Sequence, residues 1–515
     1  MSTEQLELIK GWLESLGIAV TEKAVETIEF LWPLAIRRVI TISSFWVILS
    51  CIGFYTVYRL YPIVKQNYKN SINDYEASEV VELQIMGTIV LALISLVTFG
   101  FHIIKINNAG GKLYLVGGAI RNSIIDYPIH DYDFCFEGIS KEKFQKLFPE
   151  AQLVGNHFGV FILDGYEFAA TRTERLKDNS QNRRDYNVKC NVSIEEDLKR
   201  RDFTVNAIAI DLTSGKVIDP YNGIKDAKNR KLKAFSNSFE TDPLRVLRGA
   251  RLFAQYPFYV EPNTIKRMST MKEQLKNLPK ERVFEEFKKA IKGDFPYNFF
   301  YVLKYTDLLD TWFKEIEDLI GVPQPKKYHR EGSAYIHSIL SLKNIAKRTN
   351  DPAVRFASLV HDLGKGLTPC KDYPHHYGHE SKGIKPLNHL CDRLGIPNRW
   401  RKIAEIAVKY HMKGRLWKIM KPGKVVKLFK IINNSPIGMK DFKNIIISDL
   451  NSRNKENNDR AKELKGICKL YKSMFKNTGG KNIDSSKYSG KEFGERLFQY
   501  RCHWLNKERN KIKGG

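Results

Sequence analysis

Two long uncharged stretches near the amino terminus stand out in the hydrophobic pattern of the chain. Residues 39–58 hold 20 positions without Asp, Glu, Lys or Arg, and residues 83–104 hold 22. A helix needs roughly 20 apolar residues to cross a bilayer, so the pattern predicts a transmembrane hairpin. Two buried core helices, or a hairpin that dimerises, are the alternative interpretations. The flanking Arg37, Arg38 and Lys105 favour cytoplasmic ends and therefore a membrane protein with its remaining mass on the cytoplasmic side.

Beyond residue 110 the hydrophobic period changes twice. Short apolar runs at 113–116, 131–136, 159–163 and 166–172 predict strands of one sheet. From about Asp242 onward, apolar residues recur with a 3.6-residue period, which predicts helices. The expected fold class is therefore α+β: a small mixed sheet with flanking helices, followed by an all-helical part.

The positive charge lies almost entirely in the part after residue 110. The 515 residues carry 84 Lys and Arg against 57 Asp and Glu, a net charge of +27. Residues 1–110 have a net charge of −2, and residues 451–515 have +10. Such a surplus indicates a polyanionic partner, either a nucleic acid or an anionic membrane surface. A hydrophobic content of 43% excludes a mainly disordered or fibrous protein.

A strand, two glycines and a helix start follow one another at residues 113–124. Glycines let backbone amides approach an anion, and the helix dipole favours negative charge. Arg121, one turn into the helix, can add a charge-assisted bond. The pattern with Gly118 predicts a phosphate cradle, although a structural tight turn explains it nearly as well.

Asp131 and Asp133 lie two positions apart in a predicted strand. Their side chains would share one face, where two carboxylates suit Mg²⁺ and a two-metal phosphoryl transfer. A solvated acidic pair at a strand edge is the alternative. Glu167 on a later strand is a candidate third carboxylate, or else the partner of a nearby arginine.

Arginines and aspartates also gather downstream of the predicted sheet. Arg and Asp together can match the donor and acceptor edge of a base. For Asp242, an ordinary helix cap before Pro243 is an equally simple interpretation. The candidate residues are Arg201, Asp202, Asp242, Arg245, Arg248 and Arg251, the last four at three-residue spacing.

A second set of candidate ligands lies in the helical part. His337, the adjacent pair His361-Asp362 and Asp449 are well separated along the chain. Imidazole and carboxylate ligands in this mixture suit a divalent transition metal or Mg²⁺. A lone histidine is more often a core residue, but a His-Asp pair followed by LGKG is more specific.

Several segments, in order, resemble the class II CCA-adding enzymes (tRNA nucleotidyltransferases) and the related bacterial poly(A) polymerases of the DNA polymerase beta-like superfamily. They are LYLVGGAIRNSIIDYPIHDYDF, EEDLKRRDFTVNAIAID, DPYNGIKDAKNR, DPLRVLRGARLFA and LPKERVFEEFKKAI. The resemblance runs from about Leu113 to the carboxyl terminus and is specific because several independent motifs agree. Residues 1–110 resemble nothing in that family.

The resemblance implies a polymerase-beta-like head and a role for each candidate residue. Asp131 and Asp133 would hold catalytic Mg²⁺, while Gly118 and Arg121 contact the triphosphate. Arg201 and Asp202 would contact the phosphate and ribose of the nucleotide. Asp242 and Arg245 would select CTP and then ATP, with Arg248 and Arg251 extending the pocket. Thr241 stands where the family usually has Glu, and residues 174–190 correspond to a flexible loop.

The helical part resembles the HD phosphohydrolase domain of one bacterial branch of these enzymes, down to HHYGHESKGI and RLGIPNRWRKIA. By that resemblance His337, His361, Asp362 and Asp449 hold Mg²⁺, Mn²⁺, Ni²⁺ or Co²⁺, and the domain hydrolyses 2′,3′-cyclic phosphates and phosphomonoesters. Lys365 would bind phosphate, and some of His375, His376, His379 and His411 would line the pocket.

The expected protein is a membrane-anchored tRNA nucleotidyltransferase that adds CCA from CTP and ATP and carries a phosphohydrolase. Its partners would be tRNA, the two nucleotides and membrane lipid. A poly(A) polymerase or partial adding enzyme, and a membrane-bound phosphohydrolase with an inactive head, are the rival interpretations. The predicted division is 1–38 amphipathic helices, 39–105 membrane hairpin, 110–215 head, 216–325 neck and body, 326–450 HD domain and 451–515 basic tRNA-binding tail.

Overall fold

The computed structural model describes residues 100–129, 131–155, 159–176, 186–236, 239–327, 329–453, 464–480, 483, 487–488 and 490–513. The predicted helices of 1–38, the first apolar span at 39–58 and residues 83–99 of the second span lie outside the described residues. Among the helices that are described, none has both the length and the apolar character needed to cross a bilayer.

A seven-stranded mixed sheet forms the amino-terminal part of the described chain. Its strand order is β3-β4-β5-β2-β1-β8-β9, with β2 and β5 parallel and the other neighbours antiparallel. The strands are β1 (Lys112–Val116), β2 (Asp133–Glu137), β3 (Gln152–Gly155), β4 (Val160–Leu163), β5 (Tyr166–Ala170), β8 (Ala209–Asp211) and β9 (Val217–Ile218). The predicted single sheet is thus confirmed, and the α+β class with it.

Two details differ from the prediction for these strands. The strand expected at 131–136 begins at Asp133, so Asp131 precedes it. The predicted flexible loop at 174–190 is wrong at both ends, because β6 (Arg172–Leu176) and β7 (Tyr186–Cys190) pair as an antiparallel ribbon. Polar side chains concealed this ribbon from the hydrophobic pattern, since a two-stranded ribbon needs no continuous apolar face.

Alternation along β2 divides its side chains between two cores. Phe134 and Phe136 belong to an aromatic core that also contains Phe144 and Phe168. Cys135 faces the opposite side, where a smaller core includes Leu198. Because successive strand residues point to opposite faces, Asp133 lies on the side of Cys135, away from the aromatic core.

The helix α1 (residues 100–108) packs on the aromatic core of the sheet. Ile106 is fully buried, Ile103 is buried, and the His102 ring lies edge-on to Phe148 at 5.0 Å. Residues 100–104 were predicted as the end of a membrane span, and this part of the prediction is wrong. An apolar window counts uncharged residues but does not reveal whether lipid or a protein core covers them.

The remaining helices pack mainly around one continuous hydrophobic core. Their bounds are α2 (Gly118–Ile124), α3 (Lys141–Leu147), α4 (Ile194–Lys199), α5 (Gly223–Lys228), α6 (Leu244–Gln255), α7 (Pro262–Ser269), α8 (Lys272–Lys276), α9 (Lys280–Lys292), α10 (Tyr297–Tyr305), α11 (Leu309–Glu317), α12 (Ala334–Ala346), α13 (Pro352–Val360), α14 (His379–Lys382), α15 (Ile384–Leu394), α16 (Asn398–Arg415), α17 (Pro422–Asn433), α18 (Met439–Asn451), α19 (Ile467–Asn477) and α20 (Gly490–Lys513). Short strands β10 (Lys231–Leu232) and β11 (Tyr259–Val260) pair between α5 and α7. Helices α12, α13, α16 and α18 pack together and carry the second set of candidate ligands.

Candidate active sites

The carboxylates of β2 and β5 face a cleft between the sheet and the helices α6 and α9. Asp133 and Glu167 are direct cross-strand partners in the parallel register, so their side chains lie on the same face. Burial raises the pKa of the Asp133 carboxyl; Arg201 opposes that rise and Asp131 adds to it. Burial also raises the pKa of Glu167, and the charge of Asp133 adds to the effect. Asp133 and Glu167 therefore share one volume of the cleft, and carboxylate oxygens are the ligands that a magnesium ion prefers.

The cleft has a volume of about 1240 Å³, and both arginines and carboxylates line it. Six arginines line it, which suits a polyphosphate because each guanidinium offers paired donors. They are Arg172, Arg200, Arg201, Arg245, Arg248 and Arg282.

A buried aspartate holds two of these arginines in place. Asp197 accepts hydrogen bonds from Arg200 Nη2 at 2.7 Å and from Arg201 Nη2 at 3.1 Å. The backbone amide of Arg172 donates to the same carboxylate at 3.1 Å. Burial alone would raise the pKa of Asp197, but Arg200 and Arg201 hold it below its usual value. The arginines were recognised from the sequence motif, but Asp197, which orients them, was not.

Asp202 links this region to α6. Arg248 Nε donates to its carboxylate at 2.6 Å, and Asn206 Nδ2 donates at 3.0 Å. Burial would raise the pKa of Asp202, but Arg248 and the Asn206 hydrogen bond hold it well below its usual value. Asp202 and Arg248 are thus a fixed pair on the wall of the cleft.

Asp242 and Arg245 sit where α6 enters the cleft. The Asp242 carboxylate accepts a hydrogen bond from the Leu244 amide at 3.0 Å, the capping role that its sequence suggests, and Arg282 Nη2 lies 3.3 Å from it. Arg245 Nη2 donates to the carbonyl of Arg200 at 2.7 Å. Both side chains line the cleft.

Four predicted site residues do not line the cleft in the part of the chain that the structure describes: Asp131, Gly118, Arg121 and Arg251. Arg121 is 6% exposed and donates to Asn206 Oδ1 at 2.6 Å and to the Tyr256 hydroxyl at 3.0 Å. Arg251 donates to Glu286 at 2.6 Å. Polar side chains from distant segments bind the guanidinium groups of Arg121 and Arg251. These two arginines therefore stabilise the structure around the cleft and do not line it.

The four ligands predicted in the helical part come together in a buried cluster. His337 Nε2 lies 3.1 Å from Asp449 Oδ1 and 3.4 Å from Asp362 Oδ2. His361 Nε2 lies 3.2 Å from Asp362 Oδ2. All four side chains are at most 2% exposed. His361 Nε2 makes no hydrogen bond of good geometry despite its burial, so its lone pair is available to a cation.

Hydrogen bonds at Nδ1, the ring nitrogen that faces away from the cluster, orient the imidazole rings of His361 and His337. His361 Nδ1 donates to the Ser358 carbonyl at 2.8 Å, and His337 Nδ1 lies 2.8 Å from Glu331 Oε1. A carbonyl or carboxylate on Nδ1 leaves the Nε2 lone pair facing the cluster, as metal-binding histidines require. The residues present therefore fit a divalent cation.

Lysine and arginine flank the two carboxylates of the cluster. Lys365 Nζ lies 2.6 Å from Asp362 Oδ2, and Arg453 Nη2 lies 2.8 Å from Asp449 Oδ1. Burial would raise the pKa of Asp362, but His361 and Lys365 hold it well below its usual value. Of the further histidines considered from sequence, His375 is exposed, whereas His379 and His411 are buried beside Asp362.

Comparison with known proteins gives matches in both parts of the chain. Residues 113–233 match the family model for the poly A polymerase head domain, and residues 257–320 match that for a probable RNA and SrmB binding site of polymerase A. The multifunctional CCA protein of Pseudoalteromonas atlantica is 41% identical over 307 residues, 58% of this chain and 75% of that protein. That of Mannheimia succiniciproducens is 40% identical over 356 residues, 66% of this chain and 84% of that protein.

The chain belongs to the multifunctional CCA protein family. It is therefore an enzyme, a nucleotidyltransferase. Among solved structures, a CCA-adding enzyme of Bacillus stearothermophilus in complex with CTP superposes with a TM-score of 0.54 at 22% identity, covering 80% of this chain and 97% of that one. The apo form II of a CCA-adding enzyme gives a TM-score of 0.54 at 20% identity, covering 78% and 89%. At such identities these likenesses concern the fold alone.

Three supporting residues were not predicted from the sequence: Asp197, Glu331 and Arg453. Asp197 precedes the Arg-Arg pair by one helical turn, and Arg453 follows Asp449 by one turn. The i,i+3 and i,i+4 spacing to a known motif residue was a usable signal in both cases. Glu331 offered a weaker signal, since it lies six residues before His337 in irregular chain.

Proposed function

We propose that the chain adds cytidine and adenosine nucleotides to the 3′ end of tRNA, using CTP and ATP without a nucleic-acid template. The observation that carries this proposal is the pairing of Asp133 with Glu167 in the parallel register, facing a cleft lined by six arginines. Membership of the multifunctional CCA protein family supports tRNA as the acceptor. Solved CCA-adding enzymes of the same fold have been captured with CTP, with ATP and with tRNA.

In the proposed reaction the 3′ hydroxyl oxygen of tRNA forms a bond with the α-phosphorus of the bound nucleotide. The bond from that phosphorus to the α,β-bridging oxygen breaks, and pyrophosphate leaves. Asp131 and Asp133, with Glu167 beside them, would hold Mg²⁺, which supplies neutralisation of charge on the phosphates when bound. Arg200 and Arg201, fixed by Asp197, bind and orient the triphosphate.

We propose that some of the predicted residues contact the bound nucleotide directly and that others hold those residues in place. Arg201 and Asp202 contact phosphate and ribose, while Asp242 and Arg245 read the base edge, with Arg248 completing the wall. Gly118, Arg121 and Arg251 support this surface from behind. Arg121 does so by holding Asn206, which in turn donates to Asp202.

Incorporation of labelled CTP and ATP into tRNA that lacks its CCA end tests the proposal. Asp133→Asn should lower incorporation by about 10²-fold or more, because the charge that holds the cation is lost. Asp307→Asn is the matched control, since the Asp307 side chain is 84% exposed and is not among the residues that line the cleft. Unchanged incorporation in Asp133→Asn contradicts the proposal, and long tails made from ATP alone favour the poly(A) polymerase alternative.

We further propose that residues 326–453 act as an HD phosphohydrolase on 2′,3′-cyclic phosphates and phosphomonoesters. The buried cluster of His337, His361, Asp362 and Asp449 supports this, because these ligands would hold a divalent cation that polarises a phosphoryl oxygen when bound. Lys365 provides a positive charge beside the same site for the substrate phosphate.

His361→Ala and Asp362→Asn should abolish hydrolysis of a 2′,3′-cyclic nucleotide and leave nucleotide addition unchanged. His375→Ala is the matched control, because that imidazole is exposed and belongs to the same domain. Hydrolysis that persists in His361→Ala contradicts the assignment of the cluster.

The predicted division of the chain stands as a proposal with two adjustments. The head extends from 110 to at least 218, because β9 completes its sheet, and the HD domain reaches Arg453 rather than 450. Residues 451–515, apart from Arg453, form the basic tail proposed to bind tRNA.

The uncharged stretches 39–58 and 83–99 support the proposal that the chain is anchored in a membrane with its enzymatic part on the cytoplasmic side. Extraction of membranes with alkaline carbonate tests this, since an anchored chain stays in the pellet. Release of the full chain into the supernatant contradicts the anchor.

A further inference from the structure

The buried guanidinium group of Arg121 is held by neutral groups. Its Nη1 donates to Asn206 Oδ1 at 2.6 Å, and its Nη2 donates to the Tyr256 hydroxyl at 3.0 Å. The same Nη2 donates to Asn122 Oδ1 at 2.8 Å. The Tyr256 ring also faces the guanidinium, since Arg121 Cζ lies 4.5 Å from the ring centroid. In the described part of the chain this guanidinium donates to no carboxylate. Because a buried charge is normally paired, its position requires an explanation beyond packing.

The side-chain amide of Asn206 connects Arg121 to Asp202. Its Oδ1 accepts from Arg121, and its Nδ2 donates to Asp202 Oδ1 at 3.0 Å. A guanidinium only donates hydrogen bonds and an ionised carboxylate only accepts them, so these two neighbours determine which way the amide points. Asn206 and Asp202 are both buried. The position of Arg121 therefore determines the orientation of the amide donor that Asp202 receives.

Three donors among the described residues hold the Asp202 carboxylate. The Phe203 amide at 2.9 Å and Asn206 Nδ2 bind Oδ1, and Arg248 Nε binds Oδ2 at 2.6 Å. An ionised carboxylate has about four acceptor positions, so one position remains on Oδ2. Asp202 lines the cleft, and a hydroxyl group of a bound sugar is a donor that fits this position. The 2′-hydroxyl is the group that distinguishes ribose from deoxyribose.

The helix α6 fixes the Asp202 carboxylate in two ways. Arg248, on α6, binds Oδ2 directly. Tyr256 follows the last residue of α6 and acts on Oδ1 through Arg121 and Asn206. Two fixed oxygens define the plane of a carboxylate and therefore the direction of its remaining lone pair. The connection from Tyr256 to Asp202 thus controls an acceptor that faces the cleft.

We propose that Tyr256 and Arg121 are positioning residues that set the preference of the cleft for ribonucleotides over 2′-deoxyribonucleotides. Tyr256 holds the guanidinium of Arg121, and Arg121 orients the Asn206 amide. The Asp202 carboxylate then accepts from the 2′-hydroxyl of the bound ribose. Neither Tyr256 nor Arg121 lines the cleft in the ranges that the structure describes, so both act through Asn206. The proposal rests on the nucleotide contacts proposed above and deepens them, because it assigns sugar selectivity to residues behind the site.

Calorimetric binding of CTP and 2′-deoxy-CTP to the full chain, without tRNA, tests the proposal. A hydroxyl group that donates to a carboxylate should favour CTP by roughly 10–100-fold in affinity. Tyr256→Phe keeps the ring but removes the hydroxyl that accepts from Arg121, and it should lower this preference by about 3–10-fold. The loss should fall on CTP, with the affinity for 2′-deoxy-CTP unchanged, because only the ribose uses the open position on Asp202.

The preference is a ratio of two affinities measured on one protein. A partly unfolded variant loses the same fraction of sites for both nucleotides, so the ratio reports the site and not the folding. Tyr259→Phe is the matched control, because the Tyr259 side chain is 50% exposed and does not line the cleft, and it should keep the wild-type preference. An equal loss of affinity for both nucleotides in Tyr256→Phe, or an unchanged preference, overturns the inference.

A second variant tests the connection at its centre. Asn206→Ala removes the amide and should lower the preference for CTP as well. In Tyr256→Phe/Asn206→Ala the preference should fall no further than in Asn206→Ala alone, because the tyrosine hydroxyl acts through the amide. If the effects of the two substitutions multiply, Tyr256 does not act through Asn206 and the inference is overturned.

Incorporation into tRNA that lacks its CCA end separates this inference from the function on which it rests. A wild-type chain that binds CTP more tightly than 2′-deoxy-CTP but incorporates neither contradicts the proposed addition. Loss of that binding preference in Tyr256→Phe would still support the positioning role. A wild-type chain that incorporates CTP but binds both nucleotides equally keeps the proposed addition and overturns the inference.

Discussion

Asp202 joins two segments of the cleft through a single ion pair with Arg248. The Arg248 side chain is 37% exposed, whereas Asp202 is nearly buried. Breaking a fully buried pair costs about 3–5 kcal/mol, and the partial exposure of Arg248 reduces this to about 1–3 kcal/mol for Asp202→Asn. Denaturant unfolding at pH 7 measures the difference in the free energy of unfolding.

The Asp202–Arg248 pair also makes the effect of Asp202→Asn on the free energy of unfolding depend on pH. The pKa of Asp202 is held below its usual value of about 4, so its stabilising contribution is present above pH ~4 and is lost as the pH falls towards the folded pKa. The difference between wild type and Asp202→Asn should therefore be constant near neutrality and shrink below pH ~4. A difference that stays constant down to the acid transition contradicts this role.

Glu331 acts on the HD cluster through His337 rather than by touching substrate. It accepts from His337 Nδ1 at 2.8 Å and also lies 2.7 Å from His329 Nδ1. Glu331→Gln should weaken metal binding and hydrolysis by about 10–100-fold, as is typical when the partner of a ligand is changed. Metal titration and hydrolysis of a cyclic nucleotide measure this, with nucleotide addition unchanged. Glu317→Gln, in a surface pair with Lys314, is the control.

At the level of single residues, those that belong to short sequence motifs could be predicted from the sequence. His361 and Asp362 are adjacent, and Asp131 and Asp133 lie two positions apart in a recognisable motif, so each pair could be identified without a structure, although Asp131 precedes the strand that was expected to carry it. His411 was predicted only as one of four histidines of which some line the pocket; its contact with Asp362 could not be predicted, because the two residues meet only after α13 and α16 pack together. A buried histidine 49 residues away in the chain carries no local sign of what it faces.

The helix α1 is the element whose environment the sequence misjudged. Its residues Ile103 and Ile106 lie in the aromatic core of the head, and near its end Asn107 Nδ2 donates to Thr213 Oγ1 at 2.9 Å. The chain then leaves the helix in a hydrogen-bonded turn, in which the Gly111 amide donates to the Ile106 carbonyl at 2.9 Å. Hydrophobicity alone gives the same signal for a helix in lipid and for one that covers a sheet.

Replacement of one α1 residue tests this assignment. Ile106→Ala removes a fully buried side chain and should lower the free energy of unfolding of the head by about 2–5 kcal/mol. Phe101→Ala on the same helix is the control, since Phe101 is 57% exposed and should change stability by less than about 0.5 kcal/mol. Equal effects of the two substitutions contradict packing of α1 on the head.

Across the whole molecule, the two proposed activities are complementary on one kind of substrate end. A tRNA that ends in a 2′,3′-cyclic phosphate has no free 3′ hydroxyl and therefore no nucleophile for nucleotide addition. Water opens the cyclic ester to a monophosphate, and a second hydrolysis releases phosphate and restores the hydroxyl. A chain that carries both proposed activities can then complete the end.

A tRNA that lacks CCA and ends in a 2′,3′-cyclic phosphate should therefore be extended with CTP and ATP by the wild-type chain. A mixture of two variants, each defective in one of the two activities, should extend it as well. His361→Ala alone should leave the cyclic end unextended while extending tRNA with a free hydroxyl at the normal rate. Asp133→Asn alone should release phosphate but add nothing. Mixing the two variants should restore extension if the repaired tRNA exchanges between chains, with a lag that shortens as the Asp133→Asn concentration rises. Extension of the cyclic end by His361→Ala alone would contradict the proposed coupling of the two activities, because the free hydroxyl would then arise without the HD cluster.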